Sequence, residues 1–250
     1  MAGRKTFRTK AIVLDSIKLS EQDLILTTLS AQGSQLRLVA KGARKPGGRL
    51  AARCELFCED DLLVAHTRSS LSIISEALTS EAHAGLRGDL MRVSAASAVC
   101  EIARLTCYED ADDPYLYPIC SRALKACEQA TDSSHLQLVV AAYTFKVLAH
   151  SGWRPELAYC VACGDAAVEW FSPTAGGMLC SSCARQAAGA QQLSNSEIAW
   201  LKALLSKTFD VLLDSEIDAL SASVLLTLAR RWATTQLDVR LKAFEFLLSL

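Results

Sequence analysis

Residues 159–183 read YCVACGDAAVEWFSPTAGGMLCSSC and contain two Cys-x-x-Cys pairs that are separated by sixteen residues. The pairs are Cys160 with Cys163 and Cys180 with Cys183. Each pair puts two thiols on one tight turn, and Gly164 can take the positive φ that such a turn often needs. Four thiolates at this spacing are typical of a tetrahedral, structural Zn²⁺ site. The stretch therefore predicts a zinc ribbon or knuckle that holds one ion per chain and supports the fold.

Two other interpretations of these cysteines are weaker. The pairs could be unrelated turns whose thiols stay reduced, or a redox dithiol. A redox site needs one Cys-x-x-Cys at the end of a strand, not two matched pairs. Because a closed site with four cysteines leaves no position for a substrate, the function must be carried by other parts of the chain.

The charge of the chain is unevenly distributed. Residues 1–53 contain eleven basic and three acidic residues, a balance of +8, whereas the whole chain has a net charge of −1 and the remaining 197 residues carry −9. A basic N-terminal segment on an acidic body indicates a binding site for a polyanion. An ordinary solvated strand face is the simpler alternative.

Alternating apolar and polar residues predict five short strands, at residues 6–17, 23–30, 35–42, 53–67 and 70–77. A turn at residues 31–34 (AQGS) joins the second strand to the third. Five strands in so short a segment favour a small closed β-barrel of the OB type. The acidic run Glu59–Asp61 is expected at a bend of the fourth strand, and Cys54 and Cys58 on one buried face of it.

From about residue 81 the pattern is helical. Helices are expected at residues 85–107, 116–130, 135–149, from Ser194 onward and at 221–250, with Asp113, Ser133 or Ser134, and the Ser194/Glu197 capping box at their starts. The predicted fold class is therefore α+β and multidomain. It consists of an OB-fold domain at residues 1–80 and a helical domain at residues 81–250 that carries the four-cysteine zinc-binding insertion at residues 154–190.

Residues 40–49 (AKGARKPGGR) form the most distinctive loop of the barrel segment. Four cations combine there with three glycines and a proline; the cations are Lys41, Arg44, Lys45 and Arg49. The glycines let a backbone approach closely, and the cations can contact phosphates. Arg37 shares a strand face with Lys41 and extends the patch. The loop predicts a nucleic-acid site, whereas the pattern of a nucleotide-binding P-loop is missing.

Aromatic residues are scarce in the barrel segment, because only Phe7 and Phe57 precede residue 100. OB folds that grip single strands by base stacking use several aromatic side chains. We therefore expect binding mainly by charge, without sequence specificity and with steep salt dependence.

No catalytic constellation is recognisable. The four histidines are scattered without a nucleophile motif and are expected at the surface or partly buried: His66, His83, His135 and His150. The serine-hydrolase elbow, the His-Glu-x-x-His motif and the dinucleotide fingerprint are missing. The acidic runs 59–61 and 109–113 are expected to be solvated loops. The sequence predicts a protein that is not an enzyme.

The sequence also predicts a cytoplasmic location. It contains no apolar run of 18 residues, and its N-terminus lacks the apolar core of a signal peptide. Ten cysteines without an export signal indicate a reducing compartment. The six cysteines outside the zinc stretch are expected to be buried small side chains: Cys54, Cys58, Cys100, Cys107, Cys120 and Cys127.

The order of these features resembles the bacterial RecO family of recombination and repair mediators. The resemblance covers essentially the whole chain, and its most specific parts are the loop AKGARK at residues 40–45 and residues 152–183. In the second part, GWRPEL leads into Cys-x-x-Cys-Gly and then into Gly-Gly-x-x-Cys-x-x-Cys. The phrase from Ala11 to Thr27 and the position of Phe171 are also similar.

The resemblance implies a protein that binds single- and double-stranded DNA and anneals complementary strands. Such proteins act with RecR, and in some bacteria with RecF, and help RecA to displace single-strand-binding protein (SSB), whose acidic C-terminal tail they bind. It implies a cytoplasmic protein that is associated with the nucleoid during repair. The DNA candidates that follow are Arg37, Lys41, Arg44 and Lys45, then Lys10 and Arg49. A cationic, apolar groove on the helical body is expected for the tail, with the candidates Arg122, Lys125 and Lys146.

A different class of function is also compatible with the residues. A zinc-ribbon adaptor in transcription or translation would use the basic barrel to bind RNA. A hydrolase with an unrecognised site is a third possibility, which no motif supports.

Overall fold

The computed structural model describes residues 5–67 and 71–250. The chain forms two compact units, Met1–Glu128 and Gln129–Leu250. No helix within the described residues is long and apolar enough to cross a membrane. The division predicted from the sequence, with a first domain at residues 1–80, a second at 81–250 and a zinc-binding insertion at 154–190, remains a prediction.

Five strands close the predicted barrel in the first unit. They are β1 (Thr6–Lys18), β2 (Leu24–Ser30), β3 (Gln35–Ala40), β4 (Glu59–Ala65) and β5 (Ser72–Glu81). The closed order is β1-β2-β3-β5-β4, in which β3 and β5 are parallel and the other neighbours antiparallel. The predicted OB-type barrel is thereby confirmed, although β4 is shorter and β5 ends later than the pattern suggested.

The barrel core follows from the alternation of side chains along the strands. Every second residue of a strand faces inward, so Ala11 and Val13 of β1 and Leu62 and Val64 of β4 meet in the interior. Cys54 packs into the same core from the segment that precedes β4. Cys54 and Cys58 are buried, as expected, but both lie before β4 begins, so their predicted position on a strand was wrong.

The acidic run in β4 is not a solvated loop at a bend. Glu59 is 8% exposed and Asp60 is completely buried, while Asp61 is half-buried on the outer side. Along β4, Asp60 lies on the same face as Leu62 and Val64, so its side chain also points into the barrel. Thr79 on β5 donates a hydrogen bond of 2.7 Å to Asp60 Oδ1, whereas Oδ2 has no partner among the described atoms. The Asp60 carboxyl group is therefore shielded from water, and one of its two oxygens has no hydrogen bond to a described atom.

Replacing Asp60 with Asn should stabilise the protein at neutral pH. Burial raises the pKa of Asp60 to about 6, although the hydrogen bond from Thr79 and the charge of Arg53 lower it. A carboxyl whose pKa is higher in the folded state than in the unfolded chain favours folding below about pH 4, and that contribution is lost as the pH rises to about 6. Since one pKa unit corresponds to about 1.4 kcal/mol, the shift from 3.8 to about 6 amounts to roughly 3 kcal/mol, and the substitution should raise the unfolding free energy at pH 8 by that amount.

Urea unfolding at pH 4, 6 and 8 checks this expectation. Asp61→Asn is the matched control, because Asp61 is the next residue and its side chain forms a long ion pair of 3.8 Å with the exposed Arg8. The control should change stability by no more than about 0.5 kcal/mol. Equal effects of both substitutions would contradict the assignment of the pH dependence to Asp60.

A short 3-10 helix (Ala84–Leu86) follows the barrel, and two α-helices, α1 (Leu90–Thr106) and α2 (Leu116–Gln129), come after it. The Asp89 side chain caps α1 by accepting a hydrogen bond from the Arg92 amide. Gln35 of β3 donates its side-chain amide to the Arg104 carbonyl at 3.0 Å and to the Cys107 carbonyl at 3.1 Å. These bonds fasten the C-terminal end of α1 to the barrel.

A buried histidine links β4 to α2. His83 is 1% exposed, and its ring nitrogens lie 3.2 Å from the carboxylates of Glu59 and Glu128. Tyr117 of α2 donates a 2.9 Å hydrogen bond to Glu59. Burial favours a lower pKa for His83, but the two carboxylates outweigh burial and raise the pKa. The expectation of a surface or partly buried histidine was wrong here, because its charged partners are distant in sequence.

The second unit contains α3 (Ser133–His150), α4 (Ser181–Ala184), α5 (Asn195–Ser206), α6 (Phe209–Leu213), α7 (Ala219–Leu237) and α8 (Lys242–Leu248). A small antiparallel sheet has the order β7 (Gly177–Leu179), β6 (Trp170–Ser172), β8 (Gln191–Gln192). Helix α3 is buried on nearly all sides and packs against α7 and α5.

The ends of these helices follow local capping chemistry. The predicted capping box of Ser194 and Glu197 at α5 is confirmed. Asp132, not Ser133 or Ser134, caps α3 by accepting a hydrogen bond from the His135 amide. The long final helix that the pattern predicted is divided, because Asp238 ends α7 with a left-handed backbone (φ 50°).

Candidate metal site and candidate nucleic-acid groove

The four cysteines of the two Cys-x-x-Cys pairs converge in the second unit. Their sulfur atoms all lie within 4.8 Å of one another, and Cys163 Sγ is 3.7 Å from Cys180 Sγ. A tetrahedral zinc site with Zn–S bonds of about 2.3 Å places its sulfurs about 3.8 Å apart. The side chains of Cys160, Cys163, Cys180 and Cys183 therefore fit one tetrahedral metal ion.

Two turns bring these thiols together. In the first turn the Gly164 amide bonds to the Cys160 carbonyl at 2.8 Å, and Gly164 has a φ of +77°, which explains the glycine after the pair. In the second turn Cys180 is the N-cap of α4. The Val161 amide donates to the Met178 carbonyl at 3.0 Å and so ties the two turns to each other.

The electrostatics of the cluster favour a cation. Backbone amides, that of Cys180 first, lower the pKa of the Cys160 thiol to about 6. The neighbouring sulfurs, with Cys180 as the largest contributor, raise the pKa of Cys183 to about 12. The first thiolate is thus stabilised by the backbone, whereas full ionisation of all four requires a positive charge among them. A bound divalent cation would supply that charge and hold the turns in place.

An aromatic cluster fastens the cysteine-bearing segment to the helices of the same unit. Phe171 of β6 lies 6.4 Å from Phe145 of α3 and 5.7 Å from Trp232 of α7, measured between ring centroids. Trp232 donates its indole N–H to the Trp153 carbonyl at 3.2 Å. All three rings are almost completely buried. The position of Phe171 between the two cysteine pairs therefore has a packing reason.

The glycine-rich loop of the first unit borders a groove of about 490 Å³. Lys41, Lys45 and Arg49 line it together with Arg53, and Ile73 and Ile74 of β5 form an apolar wall. The loop turns so tightly that a Cβ on Gly48 would lie 2.5 Å from the Gly42 carbonyl oxygen. Glu76 is the acidic residue of the described lining. The groove combines four cations with exposed backbone, which suits a phosphodiester chain.

Arg53 was not among the residues selected from the sequence. Its guanidinium donates a 3.0 Å hydrogen bond to the Ala77 carbonyl on β5, which directs the side chain to the groove. The cation itself was visible in the sequence, but its partner lies 24 residues later and depends on barrel closure. Arg53 is therefore added to the candidate nucleic-acid residues.

Arg44 serves mainly to hold the loop in the structure. Its side chain donates to the Glu21 carbonyl at 2.8 Å, and its amide donates to the Gln22 carbonyl at 3.0 Å. The Asp23 carboxylate accepts the Gly42 amide at 2.8 Å from the same neighbouring turn. Arg44 is exposed but does not line the groove. Its predicted role at DNA stays a prediction.

Two other DNA candidates lie on strands outside the groove lining. Lys10 is exposed on β1 opposite Asp61, and Arg37 is exposed on β3 opposite Thr27. They extend the positive surface of the barrel without taking part in the groove. Their contact with nucleic acid also stays a prediction.

The three candidates for the acidic tail are divided between the units. Arg122 and Lys125 are exposed on α2 in the first unit. Lys146 is half-buried on α3 in the second unit, donates to the Leu205 carbonyl at 3.3 Å, and has a pKa that burial lowers. Lys146 thus has a structural role between α3 and α5, and the role of all three residues at the tail stays a prediction.

The second unit has a groove that the sequence did not locate. It measures about 450 Å³ and is lined by Arg154, Lys202, Leu157 and Leu205, among others. Leu205 is also the residue whose carbonyl accepts the hydrogen bond from Lys146. The lining combines two cations and apolar side chains with one acid, Glu156. The cationic, apolar groove expected for the acidic tail stays a prediction.

Family models match both parts of the chain. The model for the N-terminal part of recombination protein O matches residues 1–82, and the model for its C-terminal part matches residues 87–244. The chain belongs to the RecO family. The resemblance seen in the sequence is thereby confirmed, and so is a role in DNA repair and recombination.

Individual RecO relatives support this membership. A DNA repair protein RecO from Bifidobacterium animalis is 36% identical over 178 residues, which cover 70% of this chain and 72% of the relative. The protein of the same name from Synechococcus elongatus is 34% identical over 73% of this chain and 71% of its own length. That from Bifidobacterium longum subsp. infantis is 33% identical over 82% and 85%.

Proposed function

We propose that this RecO-family chain is a mediator that binds single- and double-stranded DNA without sequence specificity and anneals complementary strands. The single observation that carries the proposal is the groove with Lys41, Lys45, Arg49 and Arg53 on the OB-type barrel. In this proposal the protein acts in the cytoplasm, near the nucleoid during repair, and has no enzymatic activity of its own.

Annealing follows from the character of the groove. Two strands approach each other only when their phosphate repulsion is reduced, and cations on a flat or open surface achieve this. None of the described residues that line the groove is aromatic, so bases do not have to leave a stacking partner before they pair. The backbone is held while the base edges remain free.

The partners proposed for this function are RecR, the acidic C-terminal tail of SSB, RecA indirectly, and RecF in those bacteria that use it. Together they would load RecA onto SSB-coated single strands. The groove with Arg154, Lys202 and Leu157 is the better candidate for the tail, because it offers both cations and apolar contacts to a peptide that ends in acids. Lys146 lies beside it, and Arg122 and Lys125 stay secondary candidates on the other unit.

The four cysteines would hold one structural Zn²⁺ that stabilises the second unit. Such an ion has four protein ligands, so it offers no position to DNA or water. In this proposal the metal supports the fold, and the cations of the barrel bind the nucleic acid.

A salt titration tests the proposed mode of DNA binding. The logarithm of the binding constant should fall linearly with the logarithm of salt concentration, with a slope of about −0.7 for each single-strand phosphate contact. With the four groove cations engaged, the slope should approach roughly −3. Fluorescence anisotropy with unrelated oligonucleotides at five salt concentrations measures both slope and sequence dependence. A flat slope, or a strong preference for one sequence, would contradict the proposal.

Annealing assays separate DNA mediation from the RNA-binding alternative. Complementary DNA strands and RNA strands of the same sequence are mixed at matched salt, with and without the protein. The proposal expects acceleration of DNA annealing. Acceleration confined to RNA would favour the zinc-ribbon adaptor instead.

A further inference from the structure

The second unit contains a small basic pocket of about 160 Å³ between α7 and the turn that follows β6. Helix α7 contributes Arg230, Arg231, Thr234 and Thr235, and the turn contributes Thr174. The arginines precede the threonines by four residues, so all four side chains lie on one side of the helix. None of the lining residues that the structure describes is acidic.

The two arginines of the pocket differ in their bonding. Arg231 donates hydrogen bonds to Gln191 Oε1 at 3.0 Å and to the Gly189 carbonyl, so it fixes one wall. The side chain of Arg230 is half-buried and donates no hydrogen bond to the described residues 5–67 and 71–250, although its charge acts on the nearby Glu245. Its acidic neighbour Glu245 is already bonded to Arg240 at 2.8 Å. The guanidinium of Arg230 lines the pocket, so its N–H donors are available to an anionic ligand.

The opposite wall is held in place independently of any ligand. Gln236 of α7 donates a 3.3 Å hydrogen bond to the Pro173 carbonyl, and Ser172 and Thr174 are joined by a 3.1 Å hydrogen bond between their hydroxyl groups. The hydroxyl of Thr174 therefore has a defined position in the lining. The pocket is preorganised, which lowers the entropic cost of binding.

We propose that this pocket binds one phosphate group of a nucleic-acid backbone. Guanidinium groups match the geometry of phosphate oxygens, and threonine hydroxyls supply further donors. The pocket is about a third as large as the groove on the barrel, so it suits a single phosphate group and not a folded peptide or a base. The inference rests on the proposed function, because nucleic acid must be a ligand of the protein. It adds a phosphate contact on the second unit.

Arg230→Gln in the full chain tests the pocket, with Arg185→Gln as the matched control. Both substitutions remove one positive charge in the second unit, but Arg185 is exposed and does not line the pocket. Arg230→Gln should weaken binding of single-stranded DNA several-fold at low salt and reduce the magnitude of the salt slope by about 0.7, as expected for one lost phosphate contact. Thr234→Val, which keeps the shape but removes the hydroxyl, should weaken binding to a smaller extent. Arg185→Gln should leave the slope unchanged.

A parallel titration with inorganic phosphate distinguishes free phosphate from the DNA backbone as the ligand of the pocket. NMR of the arginine side-chain N–H groups follows both titrations. Chemical shifts of Arg230 that move with both DNA and inorganic phosphate support the proposal. Shifts with inorganic phosphate alone, and a DNA slope equal to wild type in Arg230→Gln, would overturn it. If the pocket proposal fails in this way, the salt slope of the wild-type protein decides about the proposed function. A steep wild-type slope would support DNA binding by the groove cations, whereas a flat wild-type slope would contradict the proposed function as well. Melting curves of each variant verify that it is folded.

Discussion

Replacement of Cys160 and Cys163 by serine should abolish metal binding and strongly destabilise the second unit. Hydroxyl groups do not replace thiolates as zinc ligands, and structural zinc contributes its binding free energy directly to folding. Because 1 kcal/mol shifts the melting temperature of a chain of this size by roughly 2–4 °C, a loss of about 4 kcal/mol should lower the transition by about 10 °C. Metal analysis of the purified protein and calorimetry measure the two effects.

The structure specifies where this destabilisation should appear. The cysteine-bearing segment is anchored through Phe171 to Phe145 and Trp232, so hydrogen exchange should accelerate first in residues 150–190 and then along α3 and α7. The barrel amides should remain protected, and chelation of the wild-type protein should reproduce the pattern. Ser182→Ala is the control, because this exposed serine lies between Cys180 and Cys183 and offers no thiol.

Two results would contradict this assignment. Retention of one zinc ion per chain in the double variant would show that the cysteines are not its ligands. Loss of DNA binding by a variant whose barrel amides stay protected would show that the cysteine cluster takes part in binding directly. The proposed separation between a supporting metal and a binding groove would then be wrong.

Lys41→Glu combined with Lys45→Glu should reduce affinity for single-stranded DNA by about 100-fold at low salt. Both lysines line the groove, and each reversal removes one attractive charge and adds a repulsive one. The salt slope should become less negative by at least about 1.4, since two phosphate contacts are lost. Annealing of complementary strands should slow in parallel, because the same cations reduce the repulsion between the strands.

The choice of these two lysines depends on the hydrogen bonds of the loop. Arg44→Glu would also release the bond to the Glu21 carbonyl, so its effect on DNA would be mixed with a change in loop structure. Arg185→Glu combined with Lys207→Glu is the matched control, because both side chains are exposed and outside the groove lining. Equal losses in the two double variants would indicate a response to net charge alone and would remove the groove from the proposal.

The spacing of residues was enough to predict several parts of the molecule. The two Cys-x-x-Cys pairs, the alternating apolar residues of the strands and the capping box at Ser194 each depend on neighbours within a few positions. Such patterns are constrained by backbone geometry, which is nearly the same in every protein. The helix that was expected at residues 221–250 shows the limit of this approach, since the left-handed Asp238 divides it without an obvious local signal.

The acidic residues of β4 show what the sequence alone could not decide. Glu59 and Asp60 resemble the solvated acids at residues 109–113 in composition, but the closed barrel and α2 bury them beside His83 and Thr79. Their environment depends on partners 19 to 58 residues away in sequence. Burial is a property of the assembled core, so local composition predicted it incorrectly.

The sequence by itself determined the kind of protein, whereas the tertiary structure decided which cations act together. Four cysteines at the right spacing indicated a candidate metal site, a basic loop on an alternating β segment indicated a nucleic-acid site, and the order of these features resembled the RecO family. Barrel closure then places Arg53 beside Lys41 and Lys45 and directs Arg44 to the neighbouring turn. In the second unit, the packing of α7 leaves the Arg230 side chain half-buried and without a hydrogen bond to the described residues. The physical reason is that ligand chemistry depends on residue type and short spacing, while the direction of a charged side chain depends on acceptors that only folding brings near.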